Sequence, residues 1–213
     1  MEILFCDEHI IACVKPRGAL SQADANGRDN MISMLEAQFG GKVFPLHRLD
    51  REVGGVMVYA RTKAAAARLS CDIAEGTFKK EYIALVHGVP ENESGEMCDL
   101  LFKDSSKNKS FVVKRERKGV KKAKLEYELL NTANTENGPL SVVRILLHTG
   151  RTHQIRVQFS SRKIPLAGDK KYGARDDFEN LGLWSYRISL RHPATGELVT
   201  FYEEPDEIIA EYL

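Results

Sequence analysis

The spacing of the apolar runs constrains this chain most. They are short, often alternate with polar residues, and are broken by Gly, Pro or Asn. Ile3–Cys6, His9–Val14, Val56–Ala60, Phe78–Gly88, Lys124–Leu129, Ser141–His148, Gly182–Leu190 and Leu198–Tyr202 all read as strands. Helical spacing is confined to a few places. Asn30–Phe39 carries it and stops at Gly40-Gly41. Lys63–Glu75 is rich in alanine, with Thr62 placed to cap its start and Gly76 its end. A third helix is expected after Thr152, which is predicted to cap it. Many strands and few helices predict one compact α+β domain over residues 1–213.

At 43% hydrophobic and 29% charged, the chain is rich enough in apolar residues to bury a core. No apolar run is long enough to span a bilayer. The start, Met1-Glu2-Ile3-Leu4, has an acid where a secretory signal would be basic, so none is expected. The cysteines Cys6, Cys13, Cys71 and Cys98 form no C-x-x-C pair, which predicts a reduced, cytoplasmic protein without zinc knuckles.

Charge is uneven along the chain. Between Lys103 and Lys124 ten basic residues face two acids, so that segment carries +8 and the rest −7, against a net +1. Residues 91–122 otherwise lack periodicity and read as a loop or hairpin excursion. A polyanion partner fits this asymmetry; a solvated loop fits the charge run alone about as well. Asn131–Gly138 reads as a turn.

The stretch with chemistry is His47-Arg48-Leu49-Asp50-Arg51-Glu52-Val53-Gly54-Gly55, just ahead of the Val56–Ala60 strand. A carboxylate between two arginines stays ionised at neutral pH, and can attack or stabilise a developing cation. From these residues alone, a surface turn with an ordinary Arg–Asp pair is the better reading.

Resemblance changes that balance. His47-Arg48-Leu49-Asp50 resembles the HRLD signature of RluA-type pseudouridine synthases, which isomerise uridine in ribosomal or transfer RNA. Thr149-Gly150-Arg151-Thr152-His153-Gln154-Ile155-Arg156-Val157 contains a stretch similar to the family's G-R-[ST]-H-Q-[IL]-R-V motif. Lys80-x-Tyr82-x-Ala84-x-Val86-x-Gly88 is similar to its tyrosine-bearing motif. The Lys15-Pro16-Arg17-Gly18 turn and Pro165-Leu166-Ala167-Gly168-Asp169-x-x-Tyr172-Gly173 also match, in the family's order. The sequence departs from the family at Val53-Gly54, where Thr-Ser is usual, at Gln158, where His is usual, and at Trp184-Ser185, within the usual Leu-His-Ala.

The resemblance implies a central mixed, mainly antiparallel sheet with flanking helices and a cleft. It implies RNA as partner and no cofactor. His148 and His153, five apart with no third ligand near, predict no metal site, and the N-terminal RNA-binding domain that several members carry is not expected here; a monomer remote from membranes is expected. The resemblance makes Asp50 the catalytic acid and Arg156 the ion-pair partner that keeps it charged. Tyr82 becomes the ring that stacks on uracil, and Arg48 the residue that holds the flipped nucleotide. Without the resemblance, Tyr82 is a core tyrosine. Rival readings are an RNA-binding assembly factor on the same fold, and a glycosidase, which needs a second acid for which Glu52 is the only near candidate.

Overall fold

The computed structural model describes residues 1–23 and 30–213. In chain order the strands are β1 (Ile3–Cys6), β2 (Ile10–Lys15), β3 (Phe44–Pro45), β4 (Gly54–Ala60), β5 (Lys79–His87), β6 (Ser94–Asp104), β7 (Lys109–Val113), β8 (Val120–Thr135), β9 (Gly138–Leu147), β10 (Leu183–Arg191) and β11 (Leu198–Tyr202). The helices are α1 (Met31–Phe39), α2 (Lys63–Glu75), α3 (Gln154–Ser161) and α4 (Glu207–Ala210). These residues gather into two compact units. The first is drawn from Met1–Glu81 and Trp184–Pro205, the second from Tyr82–Leu183 and Asp206–Leu213.

In the first unit the strand order is β1-β2-β4-β10, with β3 on β4 and β11 on β10. Every pair is antiparallel except β4–β10, which is parallel. All seven residues of β4 are buried. That strand therefore reads as an unbroken apolar run rather than an alternation. Ile10, Ala12, Val56, Val58, Ile188 and Leu190 from the strands pack with Leu69 of α2 to form its core. Both helices end as their residues dictate. Asn30 caps α1 through the amides of Ile32 and Ser33 in a capping box. Thr62 caps α2 through the Ala65 amide, and Gly76, left-handed at φ 76°, closes it.

In the second unit the order is β5-β9-β8-β6-β7, and the β6–β7, β6–β8 and β8–β9 pairs are antiparallel. One face of β6–β7–β8 packs Leu101, Val112 and Ala123 against Val157 of α3 and Tyr172. The mixed, mainly antiparallel pairing with few helices is an α+β fold.

Of the two readings open for residues 91–122, the hairpin excursion is the one formed, with β6 and β7 joined by a turn in which Asp104 Oδ1 accepts from the Ser106 and Lys107 amides. Two local expectations change. The Asn131–Gly138 turn shrinks, because β8 continues to Thr135, paired with Gly138. Its last residues are largely exposed, so no apolar alternation marks them. Thr152 does not cap α3. His153 occupies the N-cap at φ 52° and its side chain makes no capping bond; Gln154 Oε1 instead accepts from Thr149 Oγ1 and the Arg151 amide.

Candidate active site

Asp50 opens a tight turn. The Val53 amide donates to the Asp50 carbonyl at 3.1 Å, leaving Arg51 and Glu52 exposed at the tip, Leu49 and Val53 buried, and Asp50 half-buried. Both neighbours of Asp50 are fixed through their backbones. On one side Ser21 Oγ donates to the Leu49 carbonyl at 2.8 Å and accepts from its amide at 3.0 Å. The Tyr59 hydroxyl in turn donates to the Ser21 carbonyl. On the other side the Gly18 amide and Lys15 Nζ both donate to the Arg51 carbonyl, at 2.8 and 3.2 Å. Arg51 Nε donates back to the Gly18 carbonyl, and Arg17 donates to that of Glu52. The Lys15-Pro16-Arg17-Gly18 turn thus grips the turn that carries Asp50.

Lys15 is fully buried. Its ammonium also donates to the Pro16 and Ala19 carbonyls, so three acceptors match its three protons. Burial pulls its pKa down from 10.5 to about 8, Arg17 and Arg51 push the same way, and the Asp50 carboxylate opposes them. A cation of the same unit therefore acts on Asp50. In the sequence this lysine reads only as part of a turn.

His47 is structural. Its Nε2 accepts from the Val58 amide at 3.3 Å, which leaves the proton on Nδ1, a buried atom without a partner. Burial, reinforced by Lys80, drives its pKa to about 3, so the ring stays neutral. Arg48 is exposed.

The departures at Gly54 and Trp184 form one contact. Parallel pairing sets Trp184 beside Gly54 and Ser185 beside Gly55. A Cβ on Gly54 would lie 2.3 Å from the Trp184 ring. That ring is 7% exposed; its Nε1 donates to the Glu203 carbonyl, and the Arg17 guanidinium sits 5.6 Å from its centroid. Gly55 is constrained differently. Its φ is +110°, and a Cβ would meet the Ser185 backbone oxygen at 2.3 Å.

In the second unit Tyr82 lies on β5 and is buried, 5% exposed. Arg156 stands in the first turn of α3, also buried, and its Nε and Nη2 grip Asp169 Oδ2 and Oδ1, each at 2.8 Å. Such a two-pronged pair fixes the guanidinium plane. Asp169, read from sequence as architectural, is thus a direct partner of a candidate site residue. It also accepts from the Tyr172 amide. Gln158 is fully buried and donates to the Met97 carbonyl and Asp99 Oδ2, while its Oε1 has no partner. Asp50 and Arg48 thus belong to the first unit, Tyr82 and Arg156 to the second. Among the described residues no His, Cys, Asp and Glu cluster could hold a metal, and no helix is long and apolar enough to cross a membrane.

Residues 9–161 match the model of the RNA pseudouridylate synthase family. The dual-specificity RNA pseudouridine synthase RluA of Vibrio vulnificus is 32% identical over 99% of this chain and 88% of its own length. The tRNA pseudouridine synthase C of Pasteurella multocida is 28% identical, over 97% of this chain and 92% of its own. The solved structure of human RNA pseudouridylate synthase domain containing 4 superposes with a TM-score of 0.78 at 22% identity, covering 98% of this chain and 90% of that one, a likeness of fold. With the motif order, the turn that presents Asp50 and a family model spanning most of the chain, this protein belongs to the RNA pseudouridylate synthase family, as an isomerase of the RluA type.

Proposed function

We propose that this chain converts a specific uridine of ribosomal or transfer RNA to pseudouridine, as a cytoplasmic monomer, with Asp50 as its catalytic acid and residues 1–213 acting as one catalytic domain. The reaction breaks the N1–C1′ bond, turns the uracil and joins C5 to C1′; N1 gains a proton and C5 loses one. Positive character develops at C1′ as the bond breaks. An ionised carboxylate meets that need by attacking C1′ or by assisting loss of the C2′ proton. The supporting observation is the backbone grip on both neighbours of a half-exposed Asp50, with the Lys15 ammonium acting on its carboxylate. A reacting group held this way loses little entropy on the way to the transition state.

The other roles follow from chemistry and from the resemblance. Arg156, its plane set by Asp169, is the further cation for Asp50. Tyr82 is the ring for the freed uracil, a stack worth about 1–3 kcal/mol. Arg48, exposed beside the turn, holds the flipped nucleotide, whose extrusion costs a few kcal/mol. The basic segment 103–124 takes phosphates, so affinity falls with salt.

Asp50→Asn is the test. Pseudouridine formation should be lost, by about three orders of magnitude or more for a missing nucleophile, while RNA affinity changes little. Retained turnover in Asp50→Asn would overturn the assignment. Release of free uracil would mark a glycosidase instead.

A further inference from the structure

The hairpin excursion has two faces, and only one is used by the core. Directly paired residues on antiparallel strands point to the same side of a sheet. The pairs Leu101↔Val112 and Asp99↔Ala123 lie on the side packed against Val157 and Tyr172. The intervening pairs Phe102↔Phe111, Phe102↔Val120 and Leu100↔Val113 therefore lie on the opposite side. There Phe111 is 37% exposed, and Leu100, Phe102, Val113 and Val120 are half-exposed. A strand facing water ordinarily carries polar residues at such positions.

Cations surround this apolar row. The Arg117 guanidinium sits 4.6 Å from the Phe102 ring centroid; Lys109 Nζ, at the edge of the row, lies 5.8 Å from that of Phe111 and 4.9 Å from that of Tyr172, and donates to the Lys171 carbonyl. Lys114, Arg115 and Lys118 are exposed in the β7–β8 turn. Lys122 and Lys124 project on the same side as Phe102. Their partners, Glu116 and Glu96, are solvent-exposed acids, and such pairs contribute little in water.

Aromatic surface ringed by positive charge fits one partner chemistry: a chain with a charged backbone and flat apolar faces. We propose that the outer face of β6–β7–β8 binds single-stranded RNA, with a base stacked on Phe111 and phosphates held by the surrounding lysines and arginines. Duplex RNA hides its base faces, so it can use the cations but not the ring. A second copy of this chain, carrying the same positive face, would be repelled by it. The inference rests on RNA being the substrate and adds which conformation of RNA this face takes: an unpaired stretch, such as a loop that bears the target or flanks it.

The test compares a fluorescent oligouridine with an RNA duplex of equal length, by anisotropy, on the full chain. Phe111→Ala should weaken oligouridine binding roughly 5- to 150-fold, the range of one base–aromatic stack. It should leave duplex binding and the salt slope unchanged, and Phe111→Trp should restore the single-strand affinity. Lys114→Gln with Lys118→Gln should weaken both RNAs and lower the salt slope by about 1 per charge removed. Equal affinity of Phe111→Ala and the parent for oligouridine would overturn the proposal. So would equal losses on both RNAs, or a change of oligomeric state on sedimentation. Pseudouridine assays on the same samples keep the two readings apart. A chain that isomerises RNA but ignores Phe111 refutes this face alone; one that stacks RNA without isomerising it refutes the catalytic reading alone.

Discussion

Gly54→Ser should be severely destabilising, and Trp184→His should rescue it. A Cβ at residue 54 would lie 2.3 Å from the Trp184 ring, against an ordinary carbon–carbon contact of about 3.5–4.0 Å. The ring must then withdraw by more than about 1 Å. It is buried, tied through Nε1 to the Glu203 carbonyl and covered by Arg17, so it has little room. Overpacking of this kind costs about 1–3 kcal/mol, and the rigid ring argues for the upper end. Trp184→His alone leaves space above Gly54 and should cost about 2 kcal/mol or more, by loss of buried ring. In the double variant the introduced serine side chain fills that space. The cycle should therefore show a favourable coupling of at least about 1 kcal/mol, read from urea midpoints, with activity recovering in parallel. Gly55→Ala is the control. Its Cβ would strike backbone at Ser185 from a φ of +110°, and no side-chain change at 184 or 185 should rescue it. Additive costs at 54 and 184, within about 0.5 kcal/mol, would refute the reasoning.

Lys15 predicts a pH response with opposite signs in two assays. Its pKa is about 8 when folded and 10.5 ordinarily, so between those values the unfolded chain holds the extra proton and the Lys15 contribution to stability rises with pH. Over the same range the neutral amine has too few protons for its three carbonyls, loosening the grip on the Asp50 turn. Turnover should therefore fall above about pH 8 while the urea midpoint does not fall with it; a flat rate profile to about pH 9.5 sinks this account. Asp169→Asn should cost about 3–5 kcal/mol, because it takes a carboxylate from a buried guanidinium. An unchanged urea midpoint would show that the pair contributes no net stability.

The first unit was largely legible, because its determinants are local. Thr62 and Gly76 bracket α2, Asn30 and Gly40 bracket α1, and β4 is an apolar run between a turn and a cap. The hairpin was harder to read. Its outer face is aromatic and basic, and its inner face meets α3 only through residues distant in sequence, so neither shows as a clean alternation. The helix entry at His153 escaped because a side chain at Gln154, not a cap, satisfies the backbone there. Motif matching placed the candidate acid, arginine and tyrosine. It did not single out Lys15, whose role depends on three carbonyls that converge only once the two turns meet.

The departures from the family pattern beside Asp50 can be judged by what holds the turn. Apart from the bond from Arg51 Nε to the Gly18 carbonyl, the contacts that fix it fall on main-chain atoms: the amide and carbonyl of Leu49 and the carbonyls of Arg51 and Glu52. No side chain at 53 or 54 takes part in them. Replacing Thr-Ser by Val53-Gly54 therefore costs the turn none of these contacts. It does remove bulk beneath residue 184, and a tryptophan there returns it. Two substitutions that look like independent drift along the sequence are thus one exchange of volume across a parallel strand pair, and the carboxylate they flank keeps its anchoring.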